Sequence, residues 1–430
     1  MSRRYGQIRL LTVFILTGAL SAAAQDMPRV RSTIATLASP GYHGRGYVRQ
    51  GEQRAARYLQ RRFRQLGLQP LAPHYWQSFP LPINTFPGRA TLQVDGQPLR
   101  PGLDFIAAPA SGGGTVRGRV LLLDTLLFSD SAAQARLLGT NLRQTVLVLR
   151  QADVLRLTQL APPLQAHLAT AAARIVLVPG KLTASLAGQQ ESSPHLEVLA
   201  SRWPASAREV RLRLDARLES AYPTQNVVGY LPGRIQPDSF LVVTAHYDHL
   251  GRLGKRTYFP GANDNASGTA MLLELAAHYA RPENRPAYSL VFLAFGAEEA
   301  GLVGSRFFVE HPLVPLGRIR FLVNLDLLGT GEEGATVVNG RVHTDAYQQL
   351  VQLNTAGHYL PALSARGRAA NSDHYFFSEA GVPAFFVYTR GGSPAYHDVA
   401  DTPAALSLAG FPGAFQLLRD FLNQLGARPQ

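Results

Sequence analysis

The residues able to do chemistry gather in the second half of the chain, each group placed just after an apolar run. His246, Asp248 and His249 follow the run from Leu241 to Ala245, and Gly296-Ala297-Glu298-Glu299 follows Leu290 to Phe295. Asp326 ends the run Ile319 to Leu325, and Tyr396, His397 and Asp398 come after Val382 to Tyr388 and a glycine-rich turn. A fifth group, Gly261-Ala262-Asn263-Asp264-Asn265, stands immediately before a helical stretch. Each has an ordinary explanation when taken alone. Asp264 could cap a helix, the paired glutamates could answer a helix dipole, and a lone histidine in a loop is usually solvated. Five such groups at one edge of one sheet are better explained by a single site. Histidine and carboxylate ligands without cysteine suit a hard-to-borderline cation, zinc above all.

The elements that must position these groups are legible in the same text. From about Thr224, near-continuous apolar runs alternate with helical stretches: 240–245, then a helix over about 267–280; 289–295, then a helix over about 302–310; 319–325; and 382–388. Such alternation predicts a buried, largely parallel α/β sheet. Ligands bind outside the carboxyl ends of the strands in sheets of this kind, which is where all five groups fall. Upstream, Ala55, Tyr58, Leu59, Phe63 and Leu66 recur at spacings of three and four, and Gly67 stops the helix they predict. Residues 84–220 differ: short strand-like runs at 120–123, 145–149 and 174–178 are separated by turns, with few acids. This stretch reads as an inserted, β-rich domain without a catalytic constellation of its own.

Composition narrows the class. The chain has 430 residues, 46% of them hydrophobic, and no cysteine, which excludes a disulfide scaffold, a thiol nucleophile, thiolate zinc sites and iron–sulfur clusters. The formal charge is +13, but only Lys181 and Lys255 are lysines and the arginines are scattered, so no nucleic-acid partner is expected. Arg3, Arg4 and Arg9 precede the apolar run 10–20 and the small residues 21–24. That order predicts a signal peptide over 1–24 and a mature protein in the periplasm or outside the cell, with no stable membrane insertion after cleavage. No G-x-S-x-G and no H-E-x-x-H occurs, which disfavours serine hydrolysis and single-helix zinc proteases.

The strings TAHYDHLG (244–251), GANDNASG (261–268), FGAEEAGLVGS (295–305), NLDLLG (324–329) and AYHDVADT (395–402) resemble those of the M28 peptidase family, and their order and spacing fit as well. NVVGYLPG at 226–233, LASPGYHGRG at 37–46 and NSDHYFF at 371–377 resemble further family segments. The resemblance implies a three-layer α/β/α zinc-peptidase fold with a mostly parallel central sheet. It divides the chain into a signal peptide (1–24), an N-terminal part of the peptidase domain (25–83), a protease-associated-like insert (84–220) and the catalytic domain (221–430). It also implies two zinc ions per chain. His246 and Asp326 would bind one, Glu299 and His397 the second, and Asp264 would bridge them. Glu298 would be the general base, Asp248 would orient His246, and Tyr396 would hydrogen-bond the tetrahedral intermediate. His249 and His374 match positions near the site without ligating.

The activity this implies is removal of N-terminal residues from peptide substrates by a dizinc-activated water, in a chain taken as monomeric. A carboxypeptidase or dipeptidase of similar metal chemistry remains open, as do a single-zinc glutaminyl cyclase and a non-catalytic binding homologue. The side-chain preference depends on loops such as 327–370 and is not readable from residue types.

Overall fold

The computed structural model describes residues 25–427; the signal-peptide reading of 1–24 lies outside the described residues. Two sheets organise the chain. The larger has nine strands. Its middle four strands run in the order Tyr288–Phe295, Gln236–His246, Ile319–Leu325 and Ala384–Thr389, each parallel to the next. Antiparallel neighbours flank them: Arg217–Leu231 pairs with 288–295 on one side, and Ala335–Val338 pairs with 384–389 on the other. The sheet is therefore mixed overall and parallel where the chemistry sits.

Side chains alternate across these strands, and both faces are covered. Leu241, Val243, Ala245, Leu290, Phe292, Ala294, Phe321 and Val323 share one core with the helices Met27–Leu37, Gly51–Gln65, Gly268–Tyr279 and Phe411–Gly426. Val242, Val291, Leu293, Phe295 and Leu322 point the other way, into a second core with Phe308 and Phe377 from the helices Val303–Glu310 and His374–Glu379. That two-faced burial explains why the strands read as continuous apolar runs rather than alternating ones. The expected three-layer arrangement is what forms.

The second sheet has eight strands, drawn from residues 90–214. Gly114–Leu122, Thr145–Arg150, Ala173–Val178 and His195–Leu199 run parallel at its centre. Its apolar core does not stop at its own residues: Leu250, Leu253 and Phe259 from the loop after His246 are buried in the same cluster, with Val399 packed against it. The two sheets thus share a dry seam beside the strand ends.

Candidate metal centre

The carboxyl ends of the parallel strands deliver the chemistry. His246 is the last residue of its strand, and its carbonyl accepts a hydrogen bond from the Thr269 hydroxyl at 3.0 Å. Asp326 directly follows the strand 319–325; its Oδ2 accepts from Ser372 Oγ at 3.1 Å. Beneath it, Thr244, Asn324 and Ser372 form a chain of buried hydrogen bonds at 2.7 and 2.8 Å. Glu298 and Glu299 lie in the turn after Phe295, and His397 in the loop after Thr389. Asp264 sits in the 262–267 turn that opens the helix Gly268–Tyr279, and its peptide bond to Asn265 is cis.

These groups converge. His246 Nε2 lies 3.3 Å from Asp264 Oδ1, 3.4 Å from Asp326 Oδ1 and 4.0 Å from Glu298 Oε2. His397 Nε2 lies 3.2 Å from Asp264 Oδ2 and 3.0 Å from Glu299 Oε2. Asp264 therefore turns one oxygen to each of two histidine–carboxylate groups. His249 also reaches the second group: its Nδ1 stands 2.6 Å from Glu299 Oε1 and 4.0 Å from Asp264 Oδ1. Ligand atoms of His246, Asp264 and Asp326, and those of His249, Asp264 and Glu299, lie within 4.8 Å of one another.

Electrostatics show what the site lacks. Asp264, Glu298, Glu299 and Asp326 are clustered around imidazoles with no lysine or arginine ion pair to any of them among the described residues. Burial pushes the Glu298 carboxyl well above the usual carboxylate range; His246 opposes this, and Asp373, Glu299 and Asp326 add to it. Burial would lower His397, but Glu299 and Asp264 outweigh it and lift the imidazole to about 11. Buried Asp326 Oδ1 has no hydrogen-bond partner although it faces His246 Nε2. A buried carboxylate cluster of this kind needs a cation. The donor set, histidine nitrogen with carboxylate oxygen, fits zinc. The orientation of His397 fits too: Nδ1 donates to the Ala184 carbonyl at 2.8 Å, so Nε2, on the acidic side, is the nitrogen whose proton a cation would displace.

The remaining expected residues are near but arranged differently in detail. Asp248 stands 3.7 Å from His246 Nδ1, too far for a hydrogen bond. Its own bonds go elsewhere, to the Glu298 N–H at 3.1 Å, the Glu299 N–H at 3.4 Å and the Tyr47 hydroxyl at 3.0 Å. It positions the glutamate turn more directly than the imidazole. The Tyr396 ring is half exposed and stacks on His397, centroids 3.9 Å apart. His374 is buried and packs against Phe386. A cavity of about 200 Å³ opens over His246, Asp264, Glu298 and His397, with Leu327, Phe386, Tyr388 and Tyr396 among its walls.

Several supporting residues escaped the reading of residue types. Arg45 is fully buried and spends all five donors on carbonyls: Nε on Tyr247 (2.8 Å), Nη1 on Leu37 and Pro260 (3.2 and 2.7 Å), Nη2 on Gly261 and Asp264 (2.7 and 3.0 Å). It ties the loops bearing His246 and Asp264 to the N-terminal segment. The flanking glycine has a reason as well, since a Cβ on Gly46 would come within 2.3 Å of the Gly251 Cα. Asp401 accepts from the backbone N–H of Asn263 at 2.9 Å and of Asp264 at 3.0 Å, fixing the turn under the shared carboxylate. Both residues lie inside segments that resemble the family's, LASPGYHGRG and AYHDVADT, but arginine is not a ligand type and Asp401 is one of two aspartates in its segment.

Residues 226–422 match the sequence model of Peptidase family M28. Aminopeptidase YwaD of Bacillus subtilis (strain 168) is 30% identical over 239 residues, covering 53% of this chain and 50% of that protein. Leupeptin-inactivating enzyme 1 of Streptomyces exfoliatus is 31% identical over 159 residues, covering 37% of this chain and 34% of that one. The chain thus spans half or less of the length of these curated relatives. Among solved structures, the zinc aminopeptidase BSAP of Bacillus subtilis superposes with a TM-score of 0.70 at 22% identity, covering 94% of this chain and 95% of that one. The aminopeptidase of Aneurinibacillus sp. strain AM-1 gives 0.64 at 20% identity, covering 95% and 96%. Both share the fold over nearly its whole length, second sheet included.

Proposed function

Because the part of the chain that carries the site, residues 226–422, matches the sequence model of Peptidase family M28, we propose that this protein is a dizinc aminopeptidase that removes N-terminal residues from peptides. The observation that carries the proposal is Asp264, whose two oxygens are divided between His246 Nε2 and His397 Nε2. A carboxylate so placed can bridge two cations. His246 and Asp326 would complete one zinc site, and Glu299 and His397 the other. His397 is preferred to His249 because the Ala184 carbonyl already fixes its donor nitrogen and frees Nε2.

When bound, the two zinc ions supply Lewis acidity to the scissile carbonyl and to the attacking water. The protein's own groups do the rest. Glu298 lines the cavity beside His246, its Oε2 4.0 Å from the ring Nε2, a place that suits a general base. It takes the water's proton and returns one to the departing amine. Asp248 accepts from the Glu298 N–H and so fixes the backbone that carries this side chain. Tyr396 closes the cavity against His397, where its hydroxyl can donate to the developing oxyanion.

The proposal includes export through the N-terminal segment, supported by the order of Arg3, Arg4 and Arg9 before an apolar run and small residues; N-terminal sequencing of the protein recovered outside the cytoplasm tests this. The proposal takes the protein to work as a monomer, which its mass in solution tests. The central test is metal content together with hydrolysis of a panel of aminoacyl p-nitroanilides. Two zinc ions per chain, with hydrolysis abolished by chelation, is the expected result. One zinc with cyclisation of N-terminal glutamine, or two zincs acting only on blocked peptides, would overturn it.

A further inference from the structure

The loop between the strands Ala173–Val178 and His195–Leu199 belongs to the eight-stranded sheet. It nevertheless reaches the metal centre. Leu182 and Ala184 are buried in that sheet's core and anchor the loop. From this anchorage Ala184 holds His397 twice: its carbonyl accepts from the ring Nδ1 at 2.8 Å, and its N–H donates to the His397 carbonyl at 3.3 Å. Immediately before Leu182, Lys181 Nζ donates to the Pro394 carbonyl at 2.7 Å and to the Tyr396 carbonyl. One short segment thus grips the backbone before His397, its backbone and its ring.

We propose that this strap, Lys181 to Ala184, is a positioning element of the metal centre, with Lys181 setting the height of the Tyr396–His397 loop and Ala184 setting the tautomer and aim of the His397 ring. The proposal rests on reading His397 as a zinc ligand. Two features of the chain support it independently. First, His397 has φ 55°, a left-handed conformation that a non-glycine residue keeps only when its surroundings hold it. The approach runs through Gly391 and Gly392, also left-handed at φ 92° and 82°, so the loop has little stiffness of its own. Second, the chain contains only two lysines among 42 basic residues. One of them stands where two carbonyls converge on a single nitrogen. A compact ammonium with three donors on one atom suits that geometry, and a planar guanidinium does not. The second sheet is then part of the active site, not only a neighbour of it.

The test uses the full-length protein stripped of metal and titrated with zinc against a competing chelator, in wild type, Lys181→Met, Lys181→Arg and Lys255→Met. Loss of a group that orients a histidine ligand weakens metal affinity by about ten- to hundredfold. The expectation for Lys181→Met is that loss at one of two zinc equivalents, with kcat reduced and the melting temperature of the metal-free protein unchanged. Lys181→Arg should behave like Lys181→Met, since charge without the convergent geometry does not suffice. Lys255→Met, which alters the other lysine, should match wild type. Unchanged zinc affinity and kcat in Lys181→Met would overturn the proposal. So would an equal loss in Lys255→Met, or a fall in metal-free stability that accounts for the whole effect. A wild-type protein that takes up fewer than two zincs would instead bring down the dizinc reading, and that result is visible before any variant is made.

Discussion

Replacing Arg45 with methionine should cost the fold more than replacing any single metal ligand. The guanidinium is fully buried and all five of its N–H groups are spent on the carbonyls of Leu37, Tyr247, Pro260, Gly261 and Asp264. Methionine fills much the same volume and donates nothing. Each buried acceptor left without a donor costs about 1–3 kcal/mol. Gly261 keeps a second bond from the Ala266 N–H, so its loss falls at the low end. Relief also comes from no longer burying a charge, which here lowers the arginine's pKa to about 10 in spite of Asp264, Asp401, Asp248 and Glu299. Taking the low end for each carbonyl and allowing for that relief leaves a net loss of about 4 kcal/mol. Divided by the unfolding entropy of a chain this size, that is a fall in melting temperature of roughly 4–5 °C. Guanidinium and thermal unfolding of wild type, Arg45→Met and Arg45→Lys measure it, at saturating zinc and without zinc. Lysine, with three donors, should recover part of the loss. A loss below about 1 kcal/mol for Arg45→Met would refute the view that this cation gathers the loops bearing His246 and Asp264.

Four further outcomes follow from the same geometry. Glu298→Gln should retain zinc while turnover falls by about 10²–10⁴-fold, the range for losing a general base, measured by metal content and kcat on the same preparation. Asp401→Ala leaves the N–H groups of Asn263 and Asp264 without their acceptor, so zinc affinity should drop by about ten- to hundredfold with all direct ligands intact; chelator competition reads it. Stripping zinc should lower the melting temperature and make it rise with added zinc, because the folded state alone gathers the buried carboxylates. Glu52 is buried beneath Tyr247, Thr224 and Gln225, and burial raises its pKa from 4.5 to about 8. The folded state keeps a proton that the unfolded chain releases, so this contribution is full below pH 4.5 and is lost as pH rises through about 8; Glu52→Gln should flatten that decline in a stability-versus-pH series.

The central strands were legible because burial on both faces removes polar positions from them. Leu241 and Val243 enter one core while Val242 enters the other, and the result is an unbroken apolar run with its chemistry at the carboxyl end. The flanking antiparallel pairing was not legible. Arg217–Leu231 is long, and its first half, exposed at most positions, pairs with Trp76–Thr85 rather than with the parallel strands. No local pattern states which neighbour a strand takes.

The same distinction separates the legible part of the site from the rest. A metal ligand must be a particular side chain, so the proposed ligands His246, Asp264, Glu299, Asp326 and His397 stand out by type. The groups that hold them in place act largely on main-chain atoms, which every residue has. Arg45 binds carbonyls more than 200 positions away, Asp401 binds two amides, and Ala184 acts through its own carbonyl and amide on His397. Asp248 shows the limit within a single string. Two residues from His246, it reads as the partner of that ring, yet it spends its bonds on the Glu298 and Glu299 amides and on Tyr47. Spacing identifies which residues share a strand end, but only the packed chain decides whether a carboxylate reaches a ring or a backbone. If the proposed zinc chemistry holds, that second layer is where variants that keep every proposed ligand can still lose activity.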